Sequence, residues 1–545
     1  MTQERDDTAA AQARLEALRR AVALKRLRAA GGTATDTMDM AADKVAIPRI
    51  DRAAALPLSW AQRRLWFLDR LDSAAGAAYR IGTALRLRGG LRPEALIQAL
   101  SNVVMRHEVL RTRFVERAGE PELRIDPTAD GFAVSRTDLS ALAPDRREQR
   151  LHRLCEEEAR LPFDLTVDLP MRARLIRLAE DDHVLVLVQH HIVSDGWSIG
   201  VLVREVAMEY AAAAAASGSV SVQPPMPVQY VDYAAWQRQR LSSSEFETRL
   251  AAWREELTDA PVLSTLPADR PRPARPRYRG ARVRIAWSPQ EVAALRRLAT
   301  EVGATPFAVL FSAWSVLLAR LTGQRDVIVG TPVANRPRSE LEGLIGLFVD
   351  TLPVRIRLPD AANVSTFVRT VHDRLLACLE RQDVPFDRIV DAVRPERALN
   401  HSPLFQTMVA FDNTPSAMAI DSDLRIEAFP FEQDTSSHDL VLHLGETAEG
   451  MAGALTYDID LFEQRTVERW AACFQRLVVA MTHDPRCPID ALPLLSDAER
   501  HRLLATFNAT QTEYAGAETV HALFEAQAAR CPDAVAVESE DGTLS

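Results

Sequence analysis

The stretch that most constrains this chain is residues 182–210, DHVLVLVQHHIVSDGWSIGVLVREVAMEY. Val184 through Val188 form a continuous apolar run of strand length, which suits a strand buried on both faces. From Ser198 onward Ile199, Leu202, Val206 and Tyr210 recur at helical spacing, with Ser194 or Asp195 placed to cap the helix start. His190, His191, Ser194, Asp195 and Gly196 therefore sit where a rigid strand ends and a helix begins, a junction at which sites are commonly built. Because strand side chains alternate between faces, His190 and His191 cannot both look into one cavity, and a single histidine is the working group. The other must be satisfied by hydrogen bonds in the interior, while Asp195 can hold the turn by pairing with a cation or with backbone N–H groups. Alone, HHxxxDG reads equally well as two hydrogen-bonded histidines and a turn aspartate.

At 545 residues the chain has room for about three or four compact units. With 65 Lys and Arg against 75 Asp and Glu, the net charge of −10 gives no general reason to expect nucleic acid or a membrane, so the expected partners are proteins or small molecules. The five cysteines are scattered and never in CxxC spacing, which indicates neither a disulfide framework nor a zinc site and suits a reduced compartment. No apolar run approaches the roughly 18 residues of a membrane span, and the N-terminus lacks a signal-peptide core. A cytoplasmic protein is expected.

Taken in order, residues 8–30 predict a basic amphipathic helix, stopped by Gly31 and Gly32, that reads as a solvated leader or as a docking helix. Residues 31–54 read as a linker. SWAQRRLWFLDRL, from Ser59, predicts a helix with Ser59 as its cap. RHEVLRTRF, from Arg106, sets a charged tripeptide against an apolar continuation. The break SGSVSVQPPMPVQ over 217–229 is expected to separate two lobes, the second opening with YVDYAAW at Tyr230. A strand over 326–329 is expected to end in a polar turn, GTPVANR, over 330–336. Each half thus shows a helix, a strand and a polar strand-end turn, as two similarly folded halves facing each other would. Residues 517–537 predict an amphipathic helix and a strand, the opening of a further domain.

Several of these words together resemble one family, the condensation domains of nonribosomal peptide synthetases. The similarity runs through SWAQRRLWFL, RHEVLRTRF, HHIVSDG, YVDYAAW, VGTPVANR, IGLFVDTL and RQDVPFD in that order, over about residues 56–490. It implies an α/β fold of two chloramphenicol-acetyltransferase-like lobes in a V-shaped pseudo-dimer with a central tunnel. Carrier proteins would present 4′-phosphopantetheine arms at opposite mouths, an upstream donor acyl or peptidyl thioester and a downstream aminoacyl acceptor. The reaction implied is amide formation, with no tightly bound cofactor and no metal. His191 would carry the chemistry, as base or as an orienting and stabilising group. His190, Asp195, Gly196 and Arg336 would support it, with Asp195 paired to Arg336 across the lobes and Gly196 letting backbone approach the reacting carbonyl.

The boundaries expected are 1–54 for the basic helix and linker, a candidate docking segment, 55–225 for the N-terminal lobe and 226–490 for the C-terminal lobe. A linker over 491–516 and the start of an adenylation domain over 517–545 follow, since LPLLSDAER and the segment from His521 resemble that junction. Two positions depart from the family pattern: Asp350 where Asn is frequent, and Arg381 where His is frequent. The wording of RRLWFLDRL and HHIVSDGWS resembles domains that take a D-configured donor residue. An epimerization domain would carry a GHGRE-type word, absent here, and a heterocyclization domain would replace the histidines. The alternative from another class is a catalytically silent platform of the same fold that recruits partner proteins.

Overall fold

Apolar runs with polar punctuation build two six-stranded sheets in the computed structural model, which describes residues 46–545 apart from 72–75, 77, 129–130, 216–222, 396–397, 399, 413–416, 420–423, 432–433, 448–449 and 513–518. The basic helix expected over 8–30 lies outside the described residues.

The first part of the chain runs through α1 (Trp60–Leu71), β1 (Arg80–Gly89), α2 (Pro93–Arg106), the hairpin β2 (Thr112–Arg117) and β3 (Glu120–Ile125), and β4 (Val134–Asp138). It continues through α3 (Pro144–Arg160), β5 (Met171–Arg177), β6 (Asp182–His190) and α4 (Gly196–Ala215). In the sheet, β6 lies between β1 and β5, antiparallel to both, with Leu85 opposite Leu185. Val184 through Val188 are all buried, as a strand covered on both faces requires.

Next come α5 (Tyr230–Arg240), α6 (Ser244–Leu257), β7 (Gly280–Trp287), α7 (Pro289–Glu301) and α8 (Pro306–Thr322). Helix α8 is capped by the Thr305 hydroxyl and closed by Gly323 at φ +72°, and it is buried almost all round as the axis of the second core. Then follow β8 (Asp326–Val333), β9 (Asp350–Arg357), α9 (Val364–Leu379), α10 (Phe386–Val393), β10 (Thr407–Asp412), β11 (Ala417–Ala419), β12 (Leu424–Ala428), β13 (Leu440–Thr447), β14 (Gly450–Asp458) and α11 (Gln464–His483). The second sheet has the order β7-β14-β13-β10-β8-β9. Strand β8 runs four residues past the expected 326–329, so the polar turn begins only after Val333.

Several segments that follow residue 225 cross over to the first sheet and its core. Strands β11 and β12 leave the second half and extend the first sheet, with Ile426 opposite Leu87 and Leu424 opposite Gly89. Tyr230, Val231 and Tyr233 of α5, and Leu341, Leu344, Ile345, Leu347 and Phe348, bury their side chains in the first core. The reason is apolar area: each segment carries bulky side chains that the first core has room to cover, so sequence position gives way to packing.

The end of the expected linker is likewise docked. Ile47 is 3% exposed and donates its N–H to Glu340 Oε1 at 3.0 Å. Ile50 donates to Asp232 Oδ1, and the Arg52 guanidinium bridges Asp232 and Glu108. Residues 46–52 thus strap α5 and the 340s loop to the first lobe. By contrast the tail, with α12 (Asp497–His501), α13 (Val520–Arg530) and the hairpin of β15 (Val537–Ser539) and β16 (Gly542–Leu544), keeps Leu523, Phe524, Val537 and Leu544 exposed. Among the described residues no single helix is long and apolar enough to cross a membrane. Ile47→Ala should lower the unfolding free energy by about 2 kcal/mol or more in a urea melt, as removal of a buried aliphatic side chain does, whereas a free linker would show no change.

Candidate active site

Strand β6 ends at His190, and one turn of 3-10 helix, residues 191–193, carries the chain to α4. His190 points inward and is 2% exposed. Its Nδ1 accepts the Ile192 N–H at 3.1 Å, its ring meets Phe163 edge-on, and its Nε2 lies 3.7 Å from Asp69 Oδ1. His191 emerges on the other side, half-buried, with its N–H donated to the Tyr79 carbonyl at 2.7 Å and its ring edge-to-face with the Tyr79 ring at 6.5 Å. The alternation of strand side chains has divided the pair as geometry demands.

Burial pulls the His191 pKa below the ordinary histidine value, partly offset by the nearby Asp195 carboxylate and by the main chain of its own turn. The imidazole is therefore neutral at neutral pH. Its Nδ1 is shielded from solvent and makes no well-formed hydrogen bond.

Asp195, not Ser194, caps α4: its Oδ1 accepts the Ser198 N–H at 2.8 Å, while the Ser194 hydroxyl turns back to Gln189. The same oxygen lies 3.4 Å from Arg336 Nη2, and Oδ2 accepts the N–H groups of Phe348 and Val349 at 2.9 and 3.0 Å. Arg336 reaches it because Asn335, at φ +47°, turns the chain sharply after β8, a conformation asparagine tolerates. The buried guanidinium also donates to the carbonyls of Leu341 and Leu344 and to Ser198 Oγ, and lies 3.9 Å over the Phe348 ring. Burial draws its pKa down while Asp195 holds it up.

Loop 341–349 is thereby latched onto the first half, and the other sequence words converge on it. The Ser198 hydroxyl donates to the Gly346 carbonyl at 2.8 Å, and His107, anchored on Glu205, accepts the Ile345 N–H. Tyr230 donates its hydroxyl hydrogen to the Leu347 carbonyl at 2.6 Å and meets the Ser59 hydroxyl at 2.9 Å. Ser59 caps α1 in a reciprocal pair with Gln62, whose amide donates to the Ile192 carbonyl within the histidine turn. A Cβ at Gly346 would stand 2.0 Å from the Tyr230 ring, so only glycine fits that close approach.

At Gly196, a Cβ would meet nothing within 4 Å, and the residue is exposed. The protein itself does not need a glycine there, so any close approach involves a bound molecule. Arg381 packs over Trp253 at 4.6 Å and pairs with Glu256 at 2.5 Å, a structural place in the second half. Ser198, Tyr79 and Tyr230 were not among the expected site residues; Ser198 was legible as the third position after a cap, whereas nothing local marks Tyr79.

The fold and this turn define a two-lobed acyltransferase class. The profile of the condensation domain matches residues 52–504, and the chain belongs to that family. It is 40% identical over 501 residues to malpinin synthetase of Mortierella alpina, covering 92% of this chain and 6% of that protein. Phosphinothricin tripeptide synthetase PhsC of Streptomyces viridochromogenes is 38% identical over 541 residues, covering 98% of this chain and 48% of that one. The chain thus spans less than half the length of these relatives. Among solved structures, the X-domain in complex with OxyB from teicoplanin biosynthesis superposes with a TM-score of 0.74 at 29% identity, covering 83% of this chain and 99% of that one. A four-domain nonribosomal peptide synthetase bound to AMP and glycine shares the fold, with a TM-score of 0.77 at 24% identity over 93% of this chain and 38% of that one. Two chloramphenicol-acetyltransferase-like lobes are the architecture of this chain, and condensation domains of peptide synthetases are amide-forming acyltransferases.

Truncating Asp195 to Ala would leave Arg336 buried without its anion and two N–H groups of the latch unpaired. It should cost about 3–5 kcal/mol in a denaturant melt, and Gly346→Ala about 1–3 kcal/mol through overpacking against Tyr230.

Proposed function

We propose that this chain joins two carrier-bound substrates. The amine of a downstream aminoacyl thioester attacks the carbonyl carbon of an upstream acyl or peptidyl thioester, the C–N bond forms, the C–S bond breaks, and the upstream pantetheine thiol is released with the proton the amine gives up. Both arms are 4′-phosphopantetheine on carrier proteins, which enter the space between the lobes from opposite sides. The reading carries a cytoplasmic location.

The observation that carries this reading is the half-buried, neutral imidazole of His191 at the end of β6, beside a turn that Asp195 fixes to both halves. A free α-amino group has a pKa of about 8 and is largely protonated at neutral pH, so a neutral imidazole of lowered pKa can receive a proton or a hydrogen bond as attack proceeds. The thioester is already activated. Aligning two tethered arms then supplies much of the acceleration, and His191 orients the amine or stabilises the tetrahedral intermediate. His190 supports the turn from within, and Gly196 leaves room for the reacting carbonyl.

Residues 491–545 fit a linker and the start of an adenylation domain. The exposed apolar side chains of α13 and the last hairpin support that assignment. The second reading, a silent platform, draws on the likeness to the X-domain solved in complex with OxyB; a protein that forms no amide yet holds a partner protein tightly would favour it.

Purified protein offered donor carriers loaded with L-peptidyl, D-peptidyl or fatty acyl groups should extend the acceptor carrier in intact-mass analysis, fastest with the D-peptidyl donor. His191→Ala should slow transfer by about 100-fold or more while both carriers still bind, and unimpaired transfer would remove His191 from the mechanism. His190→Ala should lower the melting temperature; a well-folded but inactive variant would count against its structural role.

A further inference from the structure

Residues 46–52 have no period of their own, yet their contacts converge on loop 341–349. Ile47 stands before Pro48, which biases it to extended backbone, and the segment spreads its N–H groups and arginines over three carboxylate anchors. The first is Glu340, whose Oε1 accepts the Ile47 N–H at 3.0 Å. The second is the fully buried Asp232, which accepts the Ile50 N–H on Oδ1 at 2.9 Å and the Arg52 guanidinium on both oxygens, at 2.7 and 3.0 Å. The third is Glu108, whose Oε2 accepts from Arg52 Nε at 2.9 Å. Arg49 adds donations to the carbonyls of Met226 and Pro227, just ahead of α5.

Each anchor stands within two residues of a group that holds the loop. Glu340 precedes Leu341, whose carbonyl accepts from Arg336, the partner of Asp195. Asp232 shares the first turn of α5 with Tyr230, whose hydroxyl donates to the Leu347 carbonyl and whose ring fills the space beside Gly346. Glu108 follows His107, which accepts the Ile345 N–H at 3.4 Å. Gln229 joins two of the anchors: its N–H is donated to Asp232 Oδ2, and its side-chain oxygen accepts the Glu108 N–H. The loop then donates its Phe348 and Val349 N–H groups to Asp195 Oδ2. The path from residues 46–52 to the histidine turn is thus made of hydrogen bonds and short covalent steps.

We propose that this strap, residues 46–52, is a positioning element for the amide-forming reaction: by seating Glu340, Asp232 and Glu108 it holds loop 341–349 against Asp195 and so fixes the turn that carries His191. One carboxylate oxygen accepts two consecutive N–H groups over a narrow range of placements, so freedom at the entry of the loop reaches the turn directly. Released, the strap would withdraw the Ile47 N–H from Glu340 and strip the buried Asp232 of its cation. The strap acts through the loop, and the inference rests on the amide-forming reading for its kinetic consequence.

The double variant Ile47→Ala/Arg52→Ala releases the strap while leaving the loop, Asp195 and His191 unchanged in sequence. Leu477→Ala, in α11 of the second core, is the control for lost stability. Each protein is read at the same interval below its own melting temperature. Hydrogen exchange at the Phe348 and Val349 amides should quicken by about tenfold or more in the double variant and by less than about twofold in the control. Single-turnover transfer between saturating carriers should slow by about tenfold in the double variant, with carrier affinity unchanged, and by less than about twofold in the control. Ile47→Val, which keeps the N–H and most of the buried area, should match wild type in both. Should the double variant fail to fold, Arg52→Lys takes its place, because a single ammonium cannot span both Asp232 oxygens and Glu108; exchange and transfer should shift in the same directions by about threefold. Exchange at both amides as slow as in wild type, equal quickening in the control, or transfer that is unslowed or slowed only through weaker carrier binding overturns the proposal. If wild type itself forms no amide, the function proposed above and this role fall together. Quickened exchange, which needs no carrier, would then show that the reaction was misread and the hold of the strap on the loop was not.

Discussion

The rest of the structure depends on a single buried carboxylate. Asp195 is 1% exposed, and its two oxygens accept or face four groups: the Ser198 and Arg336 donors on one, the Phe348 and Val349 N–H groups on the other. An ionised group taken out of water to that extent persists only when every lone pair is met. Three of its partners come from the far half of the sequence. Folding the histidine turn correctly and closing loop 341–349 onto it are consequently one event, and the turn is not independent of the second half.

The same constraint explains why the sequence words are short, widely spaced and individually unremarkable. Ser59 and Gln62, His107, Asp195, Tyr230, Arg336, Gly346 and Phe386 come from seven separate words, yet they share one continuous set of hydrogen bonds and contacts around residues 191–198 and 341–350. Each word supplies the polar atom for its neighbour, and the apolar letters between them bury the segment that carries it. RHE shows the logic. His107 is buried and Arg106 half-buried because both are paired to Glu205 while His107 accepts the Ile345 N–H, so the tripeptide serves an interior joint.

Local pattern carried a good part of this. The buried run of β6, the opposite facing of the adjacent histidines, the Ser59 cap and the turn after β8 all follow from periods of two or 3.6 and from capping chemistry, which act over a few residues. What sequence could not carry was the allocation of segments to cores. Strands β11 and β12 and loop 341–349 join the first core by shape and buried area, quantities set only once both halves exist. Residues 46–52 looked like a linker because Pro48, Asp51 and their neighbours have no period, and their order comes from single contacts to Glu340, Asp232 and Glu108. Asp350 was visible as a departure from a pattern, but its place beneath α10 was not.

The role proposed for His191 depends on what Asp195 is already doing. In a hydrolase-like triad the base is held by a third group that accepts from its second nitrogen and steadies the imidazolium. Here the nearest carboxylate spends its lone pairs on Ser198, Arg336 and the latch, and His191 Nδ1 is left without a well-formed hydrogen bond. The Asp195 charge and the main chain of its own turn favour the charged imidazole, but burial outweighs both and weakens it as a base. Such a group suits a reaction whose acyl donor is already activated and whose main barrier is bringing two tethered reactants into line. A modest acceptor of a hydrogen bond, rigidly placed by contacts that cross both halves, is then enough, and rigidity at that point matters more than basicity.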